Sequence, residues 1–293
     1  MNFQDVDILM VGHFAKDRVV VDGKAEVASG GGVYYGSVVL RRLGLRAAIV
    51  TRLRRDDFVR LDELKAEGVQ VFATAAPETS GIDNYYNSAD MERRVCKPLG
   101  FAGAISVDEI PAVSARIYAI VPIIAGEIDM ALLKALAARG PVALDIQGFV
   151  RVREGGDLVF RPWKEMAEGL AHVTYLKVDR AEAELLTGET DLERAARHLS
   201  EYGPREIVLT QSAGVTVLAD GCVYHAPFTP RSLAGRTGRG DTCFATYLGR
   251  RLTASPAEAC RLAAAITTLK QEKPGPWRGT LADAEALMAN RRS

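Results

Sequence analysis

Apolar and polar positions along this chain switch repeatedly between continuous apolar runs and helical spacing. Short apolar runs at Val6–Val11, Ala47–Val50 and Ile117–Ile124 read as buried strands, and further strands are predicted at Val142–Asp145, Val173–Leu176 and Glu206–Thr210. Between them, apolar residues recur at the spacing of one helical face over Val33–Leu43, Phe58–Ala66, Glu127–Ala138, Arg180–Leu186, Leu192–Glu201, Asp241–Leu252 and Pro256–Gln271. Strands apolar throughout must be covered on both faces, so the alternation predicts a mostly parallel sheet between helical layers.

Two stretches break this rhythm. Lys16–Ala28 and Val69–Lys97 lack helical periodicity and alternate polar residues with β-formers, as in Ile82–Asn87 and Arg93–Lys97, with Pro77 and Gly81 as turn residues. They predict either one small β-sheet lid over a cleft, built from about residues 16–28 and 69–97, or two unrelated surface hairpins.

The 293 residues carry 37 Lys plus Arg against 37 Asp plus Glu, a formal net charge of zero, which argues against non-specific binding to nucleic acid or an anionic membrane surface. With 48% apolar residues the chain can bury a substantial core and is read as one domain over 1–293. Its longest apolar stretch, Tyr118–Ala125, is broken by Pro122 and falls far short of the roughly 20 residues needed to cross a bilayer. Asn2, Gln4, Asp5 and Asp7 open the chain without the basic start of a signal peptide, so a cytoplasmic protein is expected. Cys96, Cys222, Cys243 and Cys260 form no CxxC pair and no metal-ligand spacing, and reduced thiols are expected.

The strongest local signal is Thr237-Gly238-Arg239-Gly240-Asp241-Thr242, a glycine-rich turn leading into a helix with Phe244, Tyr247, Leu248 and Leu252 on one face. Backbone N–H groups of Gly238, Arg239 and Gly240 at the positive helix end would converge on an anion. Asp241 there is either a plain N-cap or a base that accepts a hydroxyl proton while the amides hold a transferring phosphoryl group. Neither a P-loop nor a GxGxxG fingerprint occurs. The run Gly30-Gly31-Gly32 before a helix reads equally as a close ligand approach or as a structural helix-entry turn.

Together these features resemble the PfkB, or ribokinase-like, family of carbohydrate kinases, in order and over nearly the whole chain. Gly238-Arg239-Gly240-Asp241 resembles that family's GAGD motif; Gly30-Gly31-Gly32 with Arg42-Leu43-Gly44 is similar to its N-terminal glycine motif; and Gly12 with Asp17 resembles its first strand and substrate-binding aspartate. Asp179-Arg180-Ala181-Glu182 is similar to its NxxE segment, and Thr210-Gln211-Ser212 with Gly214 to its TxG strand-loop. The resemblance implies a three-layer α/β/α domain with a small β-sheet lid, an ATP- and Mg2+-dependent transfer to an alcohol, and a homodimer through the lid. It implies Asp241 as base with Gly238, Arg239 and Gly240 as anion hole, and Asp17, Gly31, Gly32 and Tyr35 at the substrate. Lys177, Asp179, Thr210, Ser212, Gly214 and Thr237 are expected at the nucleotide, and Glu182 at magnesium through water.

Departures bear on the acceptor. Tyr35 stands where the family often carries a sugar-binding Asn, Asp179 replaces the NxxE asparagine, and Arg239 replaces the GAGD alanine, with its side chain either near phosphate or on the surface. Asp145-Ile146-Gln147 through Arg151, Pro162-Trp163 and Lys273-Pro274-Gly275-Pro276 resemble an inositol-kinase-like subgroup. Gln147 and Arg151 read either as strand-end capping and surface charge or, for Asp145 and Gln147, as substrate contacts in the cleft at the strand ends. The expected activity is phosphorylation of a sugar or polyol, inositol-like favoured. A nucleoside kinase using Tyr34, Tyr35, Tyr85 and Tyr86 as a stacking surface, and a non-catalytic sugar or nucleotide sensor, are the alternatives.

Overall fold

The structure, a computed structural model, describes residues 5–87 and 90–289, with side chains described for all of these except 86, 87 and 90–94. Nine strands make one sheet, in the spatial order Cys222–Pro227, Gly214–Ala219, Glu206–Thr210, Tyr175–Asp179, Val142–Asp145, Ala115–Ile120, Val6–Val11, Ala47–Arg54 and Gln70–Ala76. From Glu206–Thr210 to Gln70–Ala76 every neighbour is parallel; the first two strands in that order form an antiparallel hairpin added at the edge. The fold is the ribokinase-like three-layer arrangement.

Side-chain alternation along the strands builds two cores. Ile8 and Met10 point to one face, where they join Val38, Leu40, Phe244, Tyr247 and Ala263 from the helices Gly32–Arg42, Arg239–Arg251 and Pro256–Gln271. Leu9 and Val11 point to the other, against Leu132, Leu136, Ala183, Ala195 and Leu199 from Met130–Ala137, Arg180–Thr187 and Leu192–Ser200. Both faces are covered, which is why the strands read as continuous apolar runs.

A second, four-stranded sheet has the order Lys24–Gly30, Ala15–Val21, Gly81–Asn87, Asp90–Gly100. The two separated segments that broke the helical rhythm therefore meet through the parallel pairing of Arg18–Val21 with Asp83–Tyr86. The first part of the later segment does otherwise: Gln70–Ala76 pairs with Ala48–Arg54 at the edge of the large sheet.

Several elements differ in extent from their sequence pattern. Helix Met130–Ala137 begins after Glu127, because the Asp129 carboxylate caps it by accepting from Leu132 N at 2.8 Å. The predicted helix Phe58–Ala66 is a 3-10 turn, Arg55–Leu61, followed by the short helix Asp62–Ala66. The strand predicted at Val173–Leu176 lies at Tyr175–Asp179, and the one at Ile117–Ile124 spans Ala115–Ile120, before Pro122. The hairpin Arg151–Glu154 with Asp157–Phe160 and the helix Leu281–Ala289 carry too little periodicity to be anticipated. Among the described residues no helix is long and apolar enough to cross a membrane.

Leu144, fully buried in the strand that carries Asp145 at its end, tests how far the sheet depends on its centre. Leu144→Ala is expected to lower unfolding stability by about 2–5 kcal/mol. Urea titration checks this, and a loss below about 1 kcal/mol would mean that the site collapses around the cavity.

Candidate active site

The carboxyl ends of the parallel strands, the start of helix Arg239–Arg251 and the small sheet enclose a cleft of about 120 Å3. Asp17, Asn84 and Ile82 approach it from the small sheet, Gln147 and Arg151 from the segment after strand Val142–Asp145, and Lys177, Asp179 and Thr210 from the next two strand ends. Arg236, Thr237, Gly238, Arg239, Gly240 and Asp241 close the far wall.

Asp17 sits on strand Ala15–Val21 of the small sheet, not on the first strand of the large one. One carboxylate oxygen accepts from Ile82 N at 2.8 Å, tying two small-sheet strands together. The other lies where a side chain on Gly30 would reach, since a Cβ there would stand 2.3 Å from it. Gly31 has φ 90° and enters helix Gly32–Arg42 beside the cleft, with no room for a Cβ against the His13 carbonyl. Gly32 instead packs on Val121 and does not line the cleft, so the triple glycine serves the helix entry and the approach of Asp17 together. Arg151 is buried, donates to Gln147 Oε1 at 3.0 Å and lines the cleft. This corrects the surface-charge reading of Arg151.

The glycine turn before Asp241 is shaped by Gly238, which caps the helix with φ 84°. A Cβ there would lie 2.5 Å from the Tyr35 ring, so glycine is required for conformation and for contact alike. The helix starts at Arg239, which places Asp241 in its first turn; the N-cap reading of Asp241 is therefore not what the structure shows. The amides of Arg239, Gly240 and Asp241 belong to the positive end of a 13-residue helix.

Behind this wall Lys177 donates to Asp145 Oδ1 at 3.1 Å and stands 3.7 Å from Glu182 Oε2, all three buried. Burial opposes the ammonium, but the carboxylates of Asp145, Glu182, Asp179 and Asp241 outweigh it and raise the lysine pKa above its ordinary value. Asp145 also accepts from Gln147 N at 3.0 Å; it is a support for the cleft and does not line it. Asp179 and Glu182 form a reciprocal capping box at the start of helix Arg180–Thr187. Ser212 is exposed in the turn after Thr210, and Gly214 packs against the Ala226 carbonyl; neither lines the cleft.

Asn84 and Arg236 are cleft residues that the sequence patterns did not single out. Asn84 is buried, donates to the Ile82 carbonyl at 3.2 Å and lies across from Cys96. Among the described side chains, Tyr34 and Tyr35 meet edge-to-face, but they and Tyr85 do not form one stacking surface on the cleft. The Tyr34 hydroxyl contacts Glu63, the Tyr85 hydroxyl lies by Arg18 and Asp83, and Tyr35 alone lines the cleft; the Tyr86 side chain falls outside the described residues.

A helix start with a carboxylate in its first turn, at a cleft lined by acidic, basic and amide side chains, is the arrangement that a phosphotransferase with an alcohol as acceptor requires. The model of the pfkB family carbohydrate kinases matches residues 5–279, and the chain belongs to that family. A pyrophosphate-dependent kinase in the ribokinase family, complexed with a pyrophosphate analogue and myo-inositol, superposes with a TM-score of 0.88 at 36% identity, over 95% of this chain and 99% of that one. Arabidopsis thaliana ribokinase with ribose and ATP gives 0.76 at 19% identity, over 97% and 99% of the two chains, a likeness of fold. A cytidine kinase of Thermococcus kodakarensis is 24% identical over 93% of this chain and 98% of its own.

Beneath the cleft, next to its lining residue Ile123, buried Glu127 accepts from the backbone N–H groups of His13, Ile123 and Ile124 at 2.8–3.0 Å. Burial outweighs these donors and pushes its pKa up to about 7, from 4.5, while burial lowers that of His13 to about 3. Glu127 therefore contributes stability fully present below about pH 4.5 and lost as pH rises to 7; the His13 contribution is present above 6.5 and lost as pH falls. Glu127→Gln is expected to gain about 2–3 kcal/mol relative to wild type between pH 5 and 7 in urea titrations. A difference that stays flat across that range would contradict the assignment.

Proposed function

We propose that this kinase transfers a phosphoryl group from inorganic pyrophosphate to one hydroxyl of a small cyclic polyol of the inositol kind. The observation that carries the reading is the lining of the donor end. Lys177, Asp179, Thr210, Arg236 and Arg239 offer charge and hydrogen bonds but no apolar surface for a base, and Ser212 and Gly214 stand outside the cleft. A compact polyanion suits that end better than a nucleotide does. At the acceptor end Asp17, Asn84, Gln147 and Arg151 alternate acceptors and donors, as a ring of neighbouring hydroxyls requires. The solved kinase with a pyrophosphate analogue and myo-inositol supports the same pairing.

In this reading Asp17 orients the acceptor, and Asp241 takes the proton as the hydroxyl oxygen bonds to phosphorus. The P–O bond to the leaving phosphate breaks in line, and the amides of Gly238, Gly240 and Asp241 take up charge on the transferred group, while the Arg239 amide donates to the Arg236 carbonyl at 3.2 Å. Arg239, directed at the cleft, would meet the donor phosphates. Among the described residues no three His, Cys, Asp or Glu side chains are placed to grip an ion by themselves. The residues fit a hydrated magnesium carried by the phosphates, with Asp179 at the cleft and the buried Glu182, whose Oε1 lacks a hydrogen-bond partner, as outer contacts. Magnesium would offset phosphate charge there. The exposed Val27, Val95 and Leu99 on the small sheet fit a homodimer through that sheet.

Phosphorylated product, followed by 31P NMR with pyrophosphate or ATP against inositols, hexoses, ribose and cytidine, tests the pairing. Turnover is expected with pyrophosphate and an inositol; preference for ATP would restore the nucleotide donor, preference for cytidine the nucleoside reading, and binding without product the sensor. Asp241→Asn is expected to lower kcat by about 10²–10⁴-fold with the fold retained, and near-normal turnover would remove Asp241 as base. Arg239→Ala is expected to raise the pyrophosphate KM by about tenfold or more with the acceptor KM little changed. An unchanged donor KM would place the Arg239 side chain outside the donor site.

A further inference from the structure

Lys270, near the end of helix Pro256–Gln271, is buried and takes no part in the chemistry described above. Its ammonium donates to two backbone carbonyls, those of Gly235 and Thr237, in the segment that leads directly into the anion-binding turn. The same segment is fastened from the opposite direction, since Gly235 N donates to the Gln271 carbonyl at 2.7 Å. Gly235 lies so close to the helix end that a Cβ on it would stand 1.8 Å from the Lys273 carbonyl. The Lys270 ammonium also lies 5.1 Å from the centre of the Tyr35 ring, and that ring is the surface against which Gly238 packs.

We infer that Lys270 is a positioning residue: a tethered cation that holds the carbonyls of Gly235 and Thr237 inward, so that the N–H groups of the following turn face the cleft. A peptide unit whose oxygen is held on one side presents its neighbours' N–H groups on the other, so fixing these carbonyls limits the rotations available to Gly238. Gly238, in the left-handed region, is otherwise the most easily rotated link of the turn. Burial draws the lysine pKa down to about 7, and the charge of Asp241 works against that fall. A cation this costly to bury is compensated by the two carbonyls and the ring face. Tyr35, in the place of a sugar-binding asparagine, thus serves as the spacer between the cation and the turn.

This inference rests on the phosphoryl-transfer reading for its kinetic consequence but not for its structural one, and the experiment separates the two. Amide hydrogen exchange over residues 235–241 is compared between wild type and Lys270→Met, together with steady-state kinetics using pyrophosphate and an inositol. The expected result is faster exchange confined to that turn, with kcat lowered by about 10²-fold and the acceptor KM within about threefold of wild type. In Lys270→Ala, added ammonium or methylammonium is expected to recover at least about tenfold in kcat, a response that a loss of packing alone would not give. If the Met variant does not fold, Lys270→Gln, neutral but polar, is read in its place with the same expectation.

Unchanged exchange over 235–241 in the neutral variant would overturn the inference, as would a lost kcat that no amine restores in a folded Ala variant. If the wild type turns over no acceptor, the functional reading has failed, and the exchange comparison alone decides the role of Lys270.

Discussion

A single buried ammonium, that of Lys177, is the constraint to which the site is fitted. A lysine at the end of a central parallel strand is tolerable only if carboxylates meet it without water, and the sheet supplies them by register: Lys177 pairs with Asp145 on the neighbouring strand, and Glu182 follows one helical turn beyond Asp179. The strand ends must then be level, and the helix after Asp179 must start where its capping box places Glu182. Removing any of the three would leave an uncompensated buried charge. The arrangement is costly for stability, and what it secures is a fixed cation at the edge of the cleft.

The small-sheet side of the cleft is held by a different device. Asp17 is anchored by Ile82 N in the small sheet, while Ile123 belongs to a loop stapled by Glu127 to the start of the segment that carries Asp17. The loop after large-sheet strand Ala115–Ile120 and the entry to the small sheet are thus joined through backbone N–H groups donated to the one buried carboxyl of Glu127, not through apolar contact alone. The small core of Ala15, Ile82, Ile123 and Ile124 completes that joint. Movement of the small sheet over the cleft would carry Asp17 and Asn84 with it and leave Lys177 and the anion turn in place.

What the sequence disclosed follows from which interactions are local. Helix entries, buried parallel strands and the glycine turn before Asp241 depend on neighbours within a few residues, so their patterns survive in one dimension. The edge strand Gln70–Ala76 was invisible as such because its partner lies more than twenty residues away and its half-buried pattern resembles that of the small sheet. Asn84 could have been suspected only from the polar residue within Ile82–Asn87, and Arg236 from its place just before the turn. Arg151 was read two ways because an arginine at a strand start is more often solvated than buried. Its burial arises from the Gln147 contact and the Phe160 ring in the hairpin after it, a hairpin too short to announce itself.

Substitution at two motif positions changes the meaning of the whole turn. Where the resembled motif has alanine, Arg239 lines the cleft together with Arg236 and Lys177, so basic residues gather around a cleft of about 120 Å3. Tyr35 fills the space beneath Gly238 and packs edge-to-face on Tyr34, so an aromatic ring underlies the turn. Asn84, Gln147 and Arg151, which also line the cleft, stand on elements outside the two glycine motifs. The glycine motifs shape one wall of the cleft, while the charged and amide side chains on its other walls come from segments those motifs do not cover.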